Sequence, residues 1–184
     1  MGGKLDFTQA LRARVSLLAG APAGLIEQAR ELITLTPGAR TLCRTLNRLG
    51  YQIVLVSGGF TNVIEPIARE LGVSAVRANT LEVIDDVITG NVLDPIMDRE
   101  GKRQALMHFA QEFNIPNRRT IAIGDGANDI DMISQAGLGV AFNAKNVLRE
   151  RADTTVNVPY LDSVLYLLGI TRDEILRSDR DGKI

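Results

Sequence analysis

Apolar positions recur along this chain with two alternating periods. Leu11, Val15 and Leu18 fall on one face of a helix over about Thr8 to Leu18, and Ile26, Ala29 and Ile33 align on a second over about Ala23 to Ile33. Pro37 and Gly38 then punctuate the chain, and Leu42, Leu46 and Leu49 repeat at helical spacing up to Gly50, a good helix stop. "QIVLVSGG" is a continuous apolar run ending in small residues, the pattern of a parallel strand buried on both faces, and Val63, Ile64, Ile67 and Leu71 mark the helix after it.

Beyond Gly72 the pattern becomes β-like. "AVRAN", "LEVI" and "VITGNV" are separated by Asp85-Asp86 and contain Thr89-Gly90-Asn91, which predicts a hairpin flap over about 81–92. A helix from about Lys102 to Phe113 leads into the strand "TIAIGDG". The helix "DIDMISQAG", the strand "LGVAF", the helix "KNVLRERA" and the strand "TTVNV" follow in turn. Strands alternating with helices at this interval predict an α/β fold, a doubly wound Rossmann-like parallel sheet with helices on both faces. The organisation expected is a small helical section over 1–36, an α/β core over 37–170 that carries the flap, and a C-terminal tail over 171–184 whose polar "SDRDGKI" should fray.

Length allows one well-buried domain plus a small appendage, because 184 residues are too few for two ordinary domains. Twenty-one basic and 22 acidic side chains leave a net charge of −1, so no global field favours nucleic acid or an anionic membrane, and any ligand must be held by local groups. No stretch approaches the roughly 18 to 20 apolar residues of a membrane span. The single Cys43 cannot form an internal disulfide, and "MGGKLDFTQ" has neither an apolar leader core nor, with Asp6 at position six, a myristoylation pattern. A cytoplasmic protein is expected.

Chemistry concentrates at strand ends. In "IAIGDGANDIDM" an apolar strand delivers Asp125 between two glycines, followed closely by Asn128, Asp129 and Asp131. Mg²⁺ prefers hard oxygen ligands and is commonly held by one or two carboxylates with water and substrate phosphate. The same residues could merely form a turn and cap the next helix, but strand, glycines and clustered oxygens together favour the metal. Asp131, on the helix, is expected to be solvated. In "VLVSGGF", Ser57 follows a strand while Gly58 and Gly59 leave room for a phosphoryl group against backbone N–H donors. Glycine in such a turn can equally be conformational. Lys102, near a helix start where the dipole disfavours a cation, is either a solvated charge beside Arg99 and Arg103 or the partner of an anion. Arg12 and Arg14 read as solvent-facing, Phe7 as core, and the lone His108 as a surface or packing residue rather than a zinc ligand.

Taken in order, "VSGGF", the Lys102 neighbourhood and "GDGANDIDM" resemble three motifs of the haloacid dehalogenase superfamily. With "GKLDFTQALRARVSLL", "PGARTLCRTLNRLGY", "QAGLGVAFNAK" and "PYLDSVLYLLG", the stretch from Met1 to Gly169 closely resembles the phosphoserine phosphatase family within it. The resemblance implies a helical cap over 1–36 and a phosphoryl group held by Ser57, Gly58 and Lys102. It further implies Mg²⁺ on Asp125 with Asp129 supporting from behind, and O-phospho-L-serine contacted by Asn128, by Arg14 through its carboxylate, and by Phe7 and Met1. The implied reaction is hydrolysis through an aspartyl-phosphate, formed by the first Asp of a "DxDxT" motif whose second Asp serves as general acid and base.

That motif does not occur in these 184 residues. Asp6 follows no apolar strand, Asp85 and Asp86 lie in the flap, and Asp129 and Asp131 belong to the metal motif, so none is a credible nucleophile. The resemblance implies that the strand bearing it lies at the sheet centre, between Ile53–Val56 and Ile121–Ile123. Without that strand a core gap and two open edges are expected, and the chain alone should be inactive and poorly stable. Alternatives are a non-catalytic module that binds phosphate, serine or a partner chain, and a phosphatase of another small phosphate monoester. "GDGAND" also resembles the hinge motif of P-type cation pumps, but no membrane span accompanies it.

Overall fold

The computed structural model describes residues 7–181. Helices α1 (Phe7–Ser16), α2 (Gly24–Glu31) and α3 (Ala39–Arg48) come first. The first βαβ unit comprises β1 (Val54–Phe60), α4 (Thr61–Glu70) and β2 (Ala75–Ile84), and β3 (Val87–Leu93) follows. Helix α5 (Arg99–Glu112) leads into β4 (Ile121–Gly124), α6 (Ile130–Gln135), β5 (Leu138–Phe142), α7 (Asn146–Arg149) and β6 (Thr154–Val156). Helices α8 (Val164–Leu167) and α9 (Arg172–Asp181) close the order.

"AVRAN" and "LEVI", expected as separate pieces, form the continuous strand β2. Its first half pairs parallel with β1 and its second half pairs antiparallel with β3. The hairpin turns on Asp85 and Asp86, both at positive φ (49° and 59°), the two-residue geometry that matches strand twist. Strands β4, β5 and β6 form a second, wholly parallel sheet. Its middle strand shows why the fold is doubly wound. Val140 and Phe142 enter a core cluster with Leu42, Val164, Leu165 and Ile175, whereas Ala141 between them joins Ile130, Met132, Ile133 and Leu148. Alternate residues thus feed helices on opposite faces.

The expected gap at the sheet centre is present. Among the described residues β1 pairs only with β2 and β4 only with β5. Val54 and Val56 of β1 and Ile121 and Ile123 of β4 line one open cavity of about 860 Å³, with Cys43, Leu106 and Phe109 also on its wall. Burial pushes the Cys43 thiol pKa up, because desolvation disfavours the thiolate. Helix α9 extends to Asp181, into the start of the polar run. Helix α9 packs on α3, Ile175 is buried in the core, and Ser178 Oγ is buried and donates to the Glu174 carbonyl. The back-bond satisfies the buried Ser178 hydroxyl within its own helix. No helix among the described residues is long and apolar enough to cross a membrane.

Candidate active site

Three turns converge at the carboxyl ends of β1 and β4. From Val56 to Phe60, β1 advances four residues while β2 advances two, from Arg77 to Asn79. Ser57, Gly58 and Gly59 therefore bulge out of the ladder, and bulges of this kind re-aim groups beside functional sites. Two backbone groups freed by the bulge are claimed by side chains. The Gly59 N–H donates to Ser57 Oγ at 3.0 Å, and the Gly58 carbonyl accepts from Asn79 Nδ2 at 2.8 Å. A Cβ on Gly58 would make only ordinary contact, 3.7 Å from the Phe7 ring, so the bulge leaves room on this side.

Asn79 also reaches the second turn, where its Oδ1 accepts from the Met97 N–H at 2.7 Å. Asp98 caps α5 by accepting from the Gly101 N–H, so this helix starts three residues before the sequence expectation. Lys102 then falls in the first turn, facing inward. It is not a solvated charge: its side chain is 7% exposed, and Nζ donates to Asp129 Oδ1 at 2.7 Å. The anion that offsets the unfavourable helix dipole is Asp129.

Asp129 in turn organises the third turn. Its Oδ2 accepts from the N–H groups of Asp125 and Gly126, at 3.2 and 3.1 Å. The two glycines exist for the neighbours that crowd them. A Cβ on Gly124 would lie 2.6 Å from Asp129 Cβ, and one on Gly126 would lie 2.6 Å from Asn128 Oδ1. Both Asp129 oxygens are thereby occupied, whereas the Asp125 carboxylate is exposed and makes no hydrogen bond among the described residues. One uncommitted carboxylate at a strand end suits a magnesium ion that takes its remaining oxygens from water and phosphate. Among the described residues no group of three or more His, Cys, Asp or Glu side chains could hold a metal by itself.

On this geometry the family comparison is decisive, because the model of haloacid dehalogenase-like hydrolases matches residues 1–134. The chain belongs to the haloacid dehalogenase-like hydrolase family. Within the family it is similar to phosphoserine phosphatases. That of Streptomyces coelicolor is 57% identical over 179 residues, 97% of this chain and 44% of that protein. That of Streptococcus thermophilus is 41% identical over 168 residues, 91% of this chain and 78% of that protein. A solved structure described as a phospho-aspartyl intermediate analogue of phosphoserine phosphatase superposes with a TM-score of 0.83 at 40% identity, covering 90% of this chain and 79% of that one. The chain spans under half the length of the Streptomyces relative.

Around the site of this hydrolase-family chain, Arg12 is exposed as expected and Asp131 is partly so, and each also takes part in a surface ion pair. Asp131 is held by a two-pronged pair from Arg99, whose guanidinium pKa is raised chiefly by that hydrogen bond. Arg12 donates to Asp94 at 2.7 Å and to the Val92 carbonyl at 3.3 Å, fastening α1 to the end of β3. Position along the sequence could not reveal either partner, since Arg99 and Asp131 are 32 residues apart and Arg12 and Asp94 are 82 apart. Phe7 is 43% exposed rather than core, and it meets Gly58. Arg14 is exposed on α1, seven residues from Phe7, so two helical turns place both on the same face. Met1 and Asp6 lie outside the described residues. His108 is half exposed beside Glu112, in keeping with a surface role. The residue that sequence reading passed over is Asn79, fully buried. The one signal it gave is a strand-disfavoured amide in the middle of "VRANTL".

Proposed function

We propose that this chain supplies the phosphate-gripping and magnesium-binding part of a phosphatase that hydrolyses O-phospho-L-serine to L-serine and phosphate, the last step of serine biosynthesis, in the cytoplasm. The observation that carries the reading is one continuous path of contacts, from the Ser57 turn through Asn79 and Met97 to Lys102, and from Lys102 through Asp129 to the Asp125 loop.

In this reading Ser57 Oγ and the bulged amides donate to phosphoryl oxygens, and Lys102 lowers the cost of charge gathering there. Asp129 aims Lys102 and holds the loop that presents Asp125. Asn128, Arg14 and Phe7 contact the serine part, with the Arg14 guanidinium shaped to fork onto its carboxylate. Mg²⁺ bound at Asp125 would offset charge on the phosphoryl oxygens. The carboxylate nucleophile belongs on a strand seated between β1 and β4. Its oxygen attacks phosphorus, the serine oxygen leaves with a proton from the acid, and water then cleaves the acyl phosphate. Lacking that carboxylate, these 184 residues should not turn over by themselves.

The test is phosphate release from O-phospho-L-serine with Mg²⁺, comparing this chain with a form extended by an apolar strand ending in "DxDxT". Release by the extended form alone is expected. Binding without release in both would favour a non-catalytic module, and faster release from another small monoester would reassign the substrate.

A further inference from the structure

We infer that Asn79 is a positioning residue that sets the Ser57 hydroxyl as a phosphate donor and fixes its spacing from Lys102. The inference rests on the phosphate-site reading above. The side chain is fully buried, and both of its polar ends are used. Because a carbonyl can only accept and a backbone N–H can only donate, the Gly58 carbonyl and the Met97 amide together fix which end of the Asn79 amide faces which.

The consequence runs across one peptide plane. In a trans peptide the carbonyl and the next N–H point in opposite directions. Drawing the Gly58 carbonyl toward Asn79 therefore turns the Gly59 N–H away from it, and that N–H donates to Ser57 Oγ. An oxygen that already accepts from an amide keeps its own proton for another acceptor, and the chain Asn79, Gly58–Gly59, Ser57 is polarised in one direction. A phosphoryl oxygen at the strand end is the acceptor it suits. The other end of Asn79 holds Met97, one residue before the Asp98 cap of the helix that carries Lys102. Asn79 thus ties the hydroxyl donor and the cationic donor to a single rigid side chain, which favours a ligand with several anionic oxygens over a single carboxylate.

The alternative is that Asn79 only satisfies two buried backbone groups and would cost stability alone. Inorganic phosphate, titrated into the intact chain with Mg²⁺ and followed through the amide resonances of Gly58 and Gly59, separates the two. Asn79→Asp keeps the shape and the Met97 contact but sets a carboxylate oxygen against the Gly58 carbonyl. It should weaken phosphate binding about tenfold, the loss expected of one buried donor. In a Ser57→Ala background the same change should cost less than about twofold, because its effect passes through the hydroxyl. Equal losses in both backgrounds, or none in either, would overturn the proposal. Should Asn79→Asp fail to fold, the native Asn79 side-chain NH₂ pair must move with the same dissociation constant as the two glycine amides. A stationary pair beside moving glycines would also overturn it. If the native chain binds no phosphate at all, the site reading fails first and the role of Asn79 falls with it.

Discussion

Lys102 Nζ and Asp129 Oδ1 stand 2.7 Å apart, with both side chains more than nine-tenths buried. Removing one member of such a pair strands the other charge in the interior, which costs about 3–5 kcal/mol. Asp129 keeps two backbone donors, so Lys102→Met should fall at the low end, about 3 kcal/mol by urea unfolding. Arg99→Ala, which breaks a pair with both side chains about a third or more exposed, should cost less than about 1 kcal/mol. Similar losses for the two would mean that the Lys102 pair is hydrated in solution.

Gly124 makes that pair possible. A Cβ there would stand 2.6 Å from Asp129 Cβ and 2.7 Å from its Cγ, so Gly124→Ala must push Asp129 off Lys102. A cost of about 1–3 kcal/mol is expected from overpacking, accompanied by weaker phosphate binding. Gly24→Ala, whose added methyl meets nothing within 4 Å, should cost nothing measurable. Thermal unfolding of the two variants side by side checks both statements.

Much of this site is legible in the sequence, and what is hidden has a common physical cause. "VLVSGG" and "IAIGDG" announce buried strands ending in tight turns because period and glycine are local signals. The Asp85-Asp86 turn was readable for the same reason. Lys102 was not: "DREGKRQ" is charged throughout, and only the docking of α5 against the Asp125 loop decides which cation turns inward. Asn79 was missed because the bulge that creates its partners is a register shift between two strands, and pairing register is not written in either strand alone. The partial misplacement of the α5 start follows from an Asp98 cap that looked like one more charge in a charged run.

Asp125 should be where magnesium acts. Asp125→Asn removes the carboxylate of the turn that no group claims among the described residues, and it should abolish Mg²⁺ enhancement of phosphate binding in calorimetry. Asp131→Asn, six residues away on α6 and paired outward with Arg99, should leave that enhancement intact. Loss in both variants would move the ion toward α6.

Hydrogen bonds from Arg103 and Gln104 hold the Glu100 carboxyl pKa at about 2, below its ordinary value near 4.3. The folded-state value is depressed, so the contribution is present above the ordinary value and is lost as pH falls from there through about 2. Carboxyl ¹³C shifts should show Glu100 still ionised at about pH 3, and Arg103→Ala should return its midpoint toward about 4.3. A native midpoint already in that range would mean that the surface fork does not persist in solution.

The free edges of β1 and β4 carry the last prediction. An open cavity of about 860 Å³ lined by Val54, Val56, Ile121 and Ile123 exposes apolar surface beside unpaired backbone groups, the combination that recruits another strand. The isolated chain should bind a hydrophobic dye and self-associate as its concentration rises, visible in sedimentation velocity. Val54→Lys puts a charge on the β1 edge without entering any of the buried clusters. It should shift the chain toward monomer while leaving the phosphate-dependent resonances in place. An extended form whose strand fills the cavity should lose both dye binding and association, because one inserted strand satisfies both edges at once. Persistent association in that form would locate the contact elsewhere, the exposed Leu17 and Leu32 of the helical section being the next apolar surface to test.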